Sequence, residues 1–279
     1  MTLIALPARA HGTTWLGELH RRNSAMTAAG LLLILTLLPL GLAGAFDTRM
    51  LAGVSVWDKP LRFAFALSVY LLTLAFFAGW MTPEARRSRL MRWTVTAGLA
   101  AIAFEQIWIT VQASRGLPSH FNEATAFDAV MYALMGIAAL VLTFMAPAVG
   151  LQIWRLPRAG LSPAMRSGAA LGLLLTFPLT LITAGTLASN GGHFVGQAFS
   201  DASGLVFMGW SREVGDLRAP HFFATHAMHV IPAATAMLAP VFGTQRIRPA
   251  LLTAAGYSLF VALVFAQALS GMPFLPLLG

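Results

Sequence analysis

The sequence predicts an all-α fold, a polytopic bundle of transmembrane helices, and two observations support this prediction. Hydrophobic residues make up 57% of the 279-residue chain and charged residues only 10%, whereas a soluble domain averages about 25% charged residues. The apolar residues also form blocks longer than the roughly 18 residues that indicate a membrane-spanning helix. The chain is therefore expected to be an integral membrane protein whose main partner is the lipid bilayer.

Seven apolar blocks predict seven spans. Arg21 and Arg22 precede the first block, as basic residues precede the core of a signal peptide. Its apolar stretch of about 20 residues is nevertheless long enough to cross a bilayer, so we expect an uncleaved helix. The seven predicted spans cover residues 25–46, 61–81, 93–114, 126–153, 167–188, 220–243 and 250–272.

Basic residues alternate between rich and poor connecting segments along the chain. The rich segments hold twelve of them and the poor segments six, and an excess of basic residues is typical of the cytoplasmic side. We therefore expect a bacterial inner-membrane protein with its N-terminus in the cytoplasm and its C-terminus in the periplasm. The rich set is Arg9, Arg21, Arg22, Arg86, Arg87, Arg89, Arg92, Arg155, Arg158, Arg166, Arg246 and Arg248; the poor set is Arg49, Lys59, Arg62, Arg115, Arg212 and Arg218.

The same distribution excludes a nucleic-acid partner, which the net charge of +8 would otherwise suggest. The chain has no cysteine, so disulfides, thiolate metal ligands and thiol nucleophiles are excluded too. No repeat or low-complexity linker divides the sequence, and we expect residues 1–279 to form a single integral-membrane domain. Residues 1–24 would be its cytoplasmic N-terminal segment.

Residues 189–219 form an extracytoplasmic segment that is too long for a simple connector. Glycines punctuate it, including Gly196, Gly204 and Gly209. Segments of this length without evident secondary structure are often functional. A lid over a site is one interpretation, and a passive surface loop is the other.

Three histidines mark the sixth predicted helix. At about 100° per residue, His221, His226 and His229 fall within one sector of a regular helix that begins near Pro220. Histidines that point into protein at membrane depth can supply metal ligands or a proton path. The alternative is that each only bonds to a neighbouring helix. The first interpretation predicts a metal site formed by His221, His226 and His229.

Glu105 is the expected partner of these histidines. It lies nine residues before Ser114 near the end of the third predicted helix, roughly 14 Å deep, which matches the depth predicted for His229. A lone carboxylate at that depth is normally protonated or paired. We therefore expect Glu105 to pair with His229, or to share a metal ion or a proton with it. Gln112 lies two turns above Glu105 on the same face.

Further polar residues are predicted on the same side of the membrane. Gly116 and Pro118 force a turn, and a carboxylate such as Asp128 suits the first turn of a helix. Helix capping and snorkelling of cations at the interface are the alternatives to a functional role. The predicted catalytic residues are Glu105, His120, Asp128, His226 and His229. The predicted substrate-binding residues are Lys59, Arg62, Gln112, Arg115, Asn122, Trp210 and Arg218, whose cations suit an anionic group such as a lipid phosphate.

Two families share residue types with this chain. Lys59, Arg62, Pro118-Ser119-His120 and Ser211-Arg212 resemble motifs of the lipid phosphatases of the phosphatidic-acid phosphatase type. That family has a glycine between its serine and histidine, which this chain lacks, so its activity is not carried over. The chain also resembles the membrane zinc hydrolases related to ceramidases in combining serine, aspartate and histidines within seven spans, but the order and spacing differ.

The distribution of ionisable residues favours a site over a conduit. Glu105, Asp128, His226 and His229 lie in the outer halves of their predicted helices, and the inner halves carry only interfacial arginines. The leading hypothesis is a membrane-embedded enzyme, or a zinc- or haem-binding protein, that acts on a small or lipid-like substrate. A proton-coupled transporter of a small solute and a non-catalytic membrane subunit or sensor remain open.

Overall fold

The computed structural model describes residues 14–197, 200–206 and 208–276. Most of these residues are helical, in agreement with the predicted fold class. Residues 1–13 of the predicted N-terminal segment lie outside the described part, as do three positions of the predicted lid segment. The helices are α1 (Trp15–Arg22), α2 (Ser24–Phe46), α3 (Asp58–Ala78), α4 (Pro83–Arg87), α5 (Arg89–Arg115), α6 (Ala126–Thr143), α7 (Met145–Arg155), α8 (Pro163–Ser189), α9 (Arg218–Thr225), α10 (Ala227–Phe242) and α11 (Arg248–Leu269).

These helices define a multi-pass membrane protein. Within the described residues, α2, α3, α5, α6 with α7, α8 and α11 are long and apolar enough to cross a membrane. The bent pair α9 and α10 would make a seventh span. The first predicted span matches α2 to within one residue, whereas α11 ends three residues before the predicted end of the last span.

Local sequence signals set the ends of the helices. Asn23 caps α2, because its side-chain oxygen accepts a hydrogen bond from the N–H of Met26 at 3.0 Å. Ser88 caps α5 by accepting a hydrogen bond from the N–H of Met91 at 3.3 Å. Gly116 ends α5 with a φ of 71°, a left-handed conformation that glycine adopts without steric cost. Polar N-caps thus fix where α2 and α5 start, and a glycine fixes where α5 ends.

Close helix packing depends on small residues. The helix α8 packs against α7, α10 and α11. At Gly172 of α8, an added Cβ atom would lie 2.8 Å from Cδ of Pro232 in α10, and at Gly168 it would lie 2.6 Å from Oγ1 of Thr235. Such close approach of backbones is a common way to join helices in a bilayer, where the hydrophobic effect does not drive them together.

The sixth predicted span is broken at His226, which corrects the expectation of one regular helix over residues 220–243. The axes of α9 and α10 differ by 56°. The N–H of His226 bonds to the carbonyls of both Phe222 and Phe223, and the N–H of His229 bonds to the carbonyl of His226. Two of these hydrogen bonds, to Phe223 and to His226, reach the third preceding residue instead of the fourth and tighten the helix locally. Pro232 also has no N–H to donate to the first turn of α10.

The connection between α8 and α9 covers residues 190–217, and its described residues (190–197, 200–206 and 208–217) are folded against their neighbours. The strands β3 (Phe194–Val195) and β4 (Gly215–Asp216) pair antiparallel within it. The N–H of Asp201 donates to the carbonyl of Ala52 at 2.9 Å. Ala52 lies in the hairpin of β1 (Met50–Leu51) and β2 (Val54–Ser55), between α2 and α3. We call this end of the bundle the loop end, and the opposite end, where α3 stops and α5 starts, the arginine end.

Candidate functional site

A half-buried lysine and a histidine lie together at the loop end. Lys59 lies in the first turn of α3 and His120 in the turn between α5 and α6, and Nζ of Lys59 lies 2.9 Å from Nδ1 of His120. An ammonium group has no lone pair, so Lys59 donates and Nδ1 accepts. His120 is then neutral and carries its proton on Nε2. Burial, together with the charge of Lys59, lowers the pKa of His120 to about 3.

The turn that carries His120 is fastened to α5. The indole N–H of Trp108 donates to the carbonyl of Ser119 at 3.4 Å, and the amide of Gln112 donates to the carbonyl of Pro118 at 3.2 Å. Oγ of Ser119 lies 3.1 Å from Nδ1 of His120. A serine hydroxyl, an imidazole and an ammonium group are thus held together in one place.

Aromatic side chains surround this group. The His120 ring lies 5.9 Å from the ring of Phe63 and 6.1 Å from that of Tyr132, between centroids. Nζ of Lys59 lies 6.0 Å from the centroid of Phe63, at the outer limit of a cation–π contact. The polar groups therefore sit in apolar surroundings, where their electrostatic interactions are stronger than in water.

Glu105 lies in α5 beside this group and is only 2% exposed. Both of its carboxylate oxygens are buried without a hydrogen-bond partner among the described residues. Its charge and that of Lys59 interact, yet the two groups form no ion pair within 4 Å in the described part of the chain. A buried carboxylate without a donor is costly. Glu105 is therefore either neutral or positioned to meet a donor that water or a substrate brings.

Glu105 does not pair with His229, which corrects the sequence-based expectation. The residue after Glu105, Gln106, donates to the carbonyl of Pro60 at 3.2 Å. Nε2 of His229 lies 3.0 Å from Oγ1 of Thr73. Pro60 and Thr73 are about 20 Å apart along α3 at 1.5 Å per residue. Counting residues from the helix ends predicted equal depths for Glu105 and His229, because this count assumes that all helices end at one level. In the structure, α5 extends past the start of α3.

The histidines form a second, deeper group near the middle of the bundle. Nδ1 of His226 lies 3.1 Å from Nδ1 of His229, so one of these nitrogens donates and the other accepts. His221 is separate, because its Nδ1 contacts Oγ1 of Thr183 at 3.3 Å. The predicted metal site of His221, His226 and His229 is therefore not assembled. Nowhere in the described residues do three or more histidine or acidic side chains come close enough to hold a metal ion.

Two of the predicted substrate-binding arginines hold the connection between α8 and α9 in place. Arg62 forms an ion pair with Asp58 at 2.8 Å and donates to the carbonyl of Met208 at 2.7 Å. Arg218 donates to the carboxylates of Asp201 and Asp216 at 2.6 and 2.7 Å. With these acceptors in place, Arg62 and Arg218 are engaged in structural contacts.

Asp201 links two parts of this connection, because it contacts both Arg218 and His193. Its Oδ1 accepts from Arg218 and lies 3.2 Å from Nε2 of His193. Burial alone would raise the pKa of Asp201, but the hydrogen bond with His193 and the charge of Arg218 outweigh burial and lower it. The carboxylate is thus charged and fixed between two chain segments.

The remaining predicted residues shape the loops. Asp128 accepts from the hydroxyl of Thr125 at 2.6 Å, and Thr125 caps α6, as the capping interpretation proposed. Arg115 donates to Gln112 at 2.8 Å, and Asn122 donates to the carbonyl of Pro118 at 3.3 Å. Trp210 packs with Phe222, Phe223 and Phe274 at ring distances of 5.4 to 5.7 Å.

One face of α3 makes contacts that the sequence did not predict. Lys59, Phe63, Tyr70 and Thr73 are spaced by three, four or seven residues and therefore share a face. Lys59 and Phe63 contact His120, Thr73 contacts His229, and the hydroxyl of Tyr70 donates to a carbonyl of α6 at 2.7 Å. This spacing is visible in the sequence, but no partner could be assigned to it without the fold.

Comparisons of the chain with protein-family models, with curated proteins and with solved structures found no match. The geometry of the site is therefore the basis for inferring a function.

Proposed function

We propose that this chain is a membrane-embedded enzyme of the bacterial inner membrane that performs acid–base chemistry on a small or lipid-like substrate. In this proposal residues 1–279 form one domain of seven spans, with the N-terminus in the cytoplasm and the loop end and the C-terminus at the periplasm. The twelve-to-six distribution of basic residues supports this orientation. The substrate would enter from the loop end, and residues 190–217 would act as its lid.

One observation carries the proposal: the Glu105 carboxylate is buried with neither oxygen hydrogen-bonded in the described residues. Protein interiors rarely leave such a group unpaired, and a catalytic role is one of the recognised reasons for an exception. The nearby Lys59, held by His120, supplies positive charge for an anionic substrate group. Glu105 would then transfer a proton to or from the substrate, and Ser119 offers a hydroxyl beside His120.

This proposal extends to a zinc or haem cofactor only if further ligands join the histidines. His226 and His229 offer two nitrogen ligands that already lie next to each other, whereas a zinc site needs three or four. A bound zinc ion would thus need a further ligand from a substrate, from water or from a rearranged side chain. The acid–base proposal at Lys59, His120 and Glu105 does not depend on it.

The test compares the wild-type chain with Glu105→Gln, which preserves shape and removes the titratable group. Each protein is reconstituted into vesicles of bacterial polar lipid, with and without a small-molecule extract, and mass spectrometry follows compounds consumed and formed. We expect turnover by the wild type and a loss of about 10²- to 10⁴-fold in the variant. Glu123→Gln, which removes an exposed carboxylate at the same end, is the matched control. Equal turnover by wild type and Glu105→Gln would refute the proposal.

A proton-coupled transporter is the second candidate, and the break between α9 and α10 favours it. Discontinuous helices commonly form the binding sites of transporters near the bilayer midplane. His226 stands at this break and contacts His229, which reaches Thr73. Under this candidate, vesicles with a trapped pH indicator show proton uptake that depends on an added solute. The His229→Asn variant would abolish this uptake. If vesicles with the Glu105→Gln variant show neither reduced flux nor reduced turnover, the result favours the transporter over the enzyme.

A further inference from the structure

Arginines from three separate segments converge at the arginine end. Arg22 ends α1, Arg86 lies in α4, and Arg158 follows α7. The N–H of Arg158 donates to the carbonyl of Trp80 at 2.8 Å, and Nη1 of Arg86 lies 3.4 Å from the carbonyl oxygen of Arg22. Met81, next to Trp80, pairs with Pro157 in an isolated β-bridge. These contacts bring the three arginines to one corner of the bundle.

Positive charge at this corner exceeds the negative charge available to balance it. Burial, and then the charges of Arg158, Arg21, Arg87 and Arg22, lower the pKa of Arg86. The carboxylate of Glu18 is already occupied, because it accepts from Arg21 and Arg22. An anion at this corner would relieve the repulsion among the guanidinium groups.

Two buried N–H donors at the same corner have no acceptor among the described residues. They are Nε of Arg86 and Nε1 of Trp80, and Trp80 is only 3% exposed. The guanidinium of Arg22 lies 5.0 Å from the ring of Phe76, which in turn lies 5.9 Å from the ring of Trp80. Buried donors normally have a partner, so the missing acceptors indicate a ligand rich in oxygen.

The position of this corner in the bundle indicates which kind of ligand would bind there. It lies where α3 ends and where α2 and α5 begin, at the level of the bilayer surface. Phospholipid phosphates occupy that level, and arginine binds phosphate through charge-assisted and often bidentate hydrogen bonds. Arginines that only orient a membrane protein need to be charged and near a span; they need neither burial nor donors without acceptors.

We propose that Arg86, Arg158 and Trp80 form a binding site for a phosphate group, carried by an anionic phospholipid of the adjacent leaflet, while Arg22 beside them is held by Glu18 and the carbonyl of Phe76. The site is about one bilayer thickness from Lys59 and Glu105, so it goes beyond the proposed reaction. It does not depend on which side of the membrane the arginine end faces.

The test is native mass spectrometry of the full chain in detergent, which counts bound lipid molecules. The probes are phosphatidylglycerol, phosphatidylcholine with the same acyl chains, and inorganic phosphate alone. We expect one phosphatidylglycerol to bind in preference to phosphatidylcholine. The double variant Arg86→Gln/Arg158→Gln should lower this affinity about tenfold or more, because each lost hydrogen bond involves a charged group.

Controls separate this site from general electrostatic attraction. Arg246→Gln removes an exposed arginine from the same end but outside the corner, and should leave phosphatidylglycerol binding unchanged. Arg158→Gln alone removes an exposed side chain, so it tests the site even if the double variant does not fold. A third outcome is that the wild type binds inorganic phosphate but shows no preference between the lipids, and that Arg158→Gln loses the phosphate. That outcome would support the phosphate site and show that its ligand is a soluble phosphate. Equal binding of both lipids without phosphate binding, or an equal loss in Arg246→Gln and Arg158→Gln, would overturn the proposal.

Discussion

Nζ of Lys59 and Nδ1 of His120 lie 2.9 Å apart, although 61 residues separate them in the chain. Because the ammonium group can only donate, this contact fixes the tautomer of His120. It also makes a protonated His120 incompatible with the folded arrangement, since Nδ1 would then carry a proton that points at Lys59. The stability of the loop end therefore depends on the protonation state of His120.

The first prediction concerns this pH dependence. The pKa of His120 is about 3, below its ordinary value of 6.5, so between these values the unfolded chain binds a proton that the folded chain does not. The stability contributed by neutral His120 is present above pH 6.5 and is lost as the pH falls toward 3. The slope is at most about 1.4 kcal/mol per pH unit.

Thermal unfolding in detergent at a series of pH values measures this effect. His120→Gln keeps an acceptor for Lys59 but does not titrate, so its midpoint should fall less steeply with decreasing pH than that of the wild type. His20→Gln, at an exposed position in α1, should follow the wild-type curve. Parallel curves for wild type and His120→Gln would contradict the prediction.

The second prediction is that Glu105→Gln stabilises the protein while it abolishes function. The wild-type carboxyl group is buried without a hydrogen bond among the described residues, and replacing it with an amide removes the cost of keeping an ionisable group in that place. We expect the thermal midpoint to rise by a few degrees, which corresponds to about 1 kcal/mol. Functional sites often carry such a stability cost. A lower midpoint for Glu105→Gln than for Glu123→Gln would show that Glu105 has a structural partner.

The third prediction concerns the connection between α8 and α9. Asp201→Asn should loosen it, because the neutral amide loses its ion pair with Arg218 and its contact with His193. Since the folded pKa of Asp201 is lowered, its stabilising effect is present above the unfolded pKa and is lost as the pH falls through the folded pKa. Limited proteolysis near neutral pH should cut Asp201→Asn faster than the wild type within residues 190–217. Glu213→Gln, an exposed acidic position in the same connection, should be cut at the wild-type rate.

Sequence patterns were sufficient to predict the long apolar helices but not their relative levels. Long apolar blocks predict helices because an unpaired backbone is not tolerated in lipid, and α2 and α8 confirm this. The pairing of Glu105 with His229 failed because depth was counted within single helices. The actual level of α5 depends on tertiary contacts such as that of Gln106 with Pro60.

The candidate site was predicted only in part for a similar reason. Lys59, Glu105 and His120 were recognised as ionisable residues on one side of the membrane, and they lie together at the loop end. Arg62 and Arg218 were expected to bind substrate because their cations suit an anionic group such as a lipid phosphate. Their acceptors include carbonyls and carboxylates of residues 200–216, and such loop contacts have no periodic signature in a sequence.

The last prediction tests the packing of α8 against α10, which holds His226 and His229 in place. An added Cβ atom at Gly172 would lie 2.8 Å from Cδ of Pro232 and 3.0 Å from the carbonyl oxygen of Ala227. A proline ring and a backbone carbonyl cannot move aside as the end of a flexible side chain can. Gly172→Ala should therefore destabilise the protein by about 1–3 kcal/mol through overpacking. It should also separate the break at His226 from α8.

Gly185 provides the matched control in the same helix, because an added Cβ atom there meets nothing within 4 Å. Alanine is a better helix former than glycine, so Gly185→Ala should leave stability unchanged or raise it by up to about 1 kcal/mol. Thermal unfolding in one detergent compares the two substitutions under identical conditions. If Gly172→Ala is as stable as Gly185→Ala, then α8 and α10 do not pack as closely as described, and the position of His226 and His229 against Thr73 would have to be reconsidered.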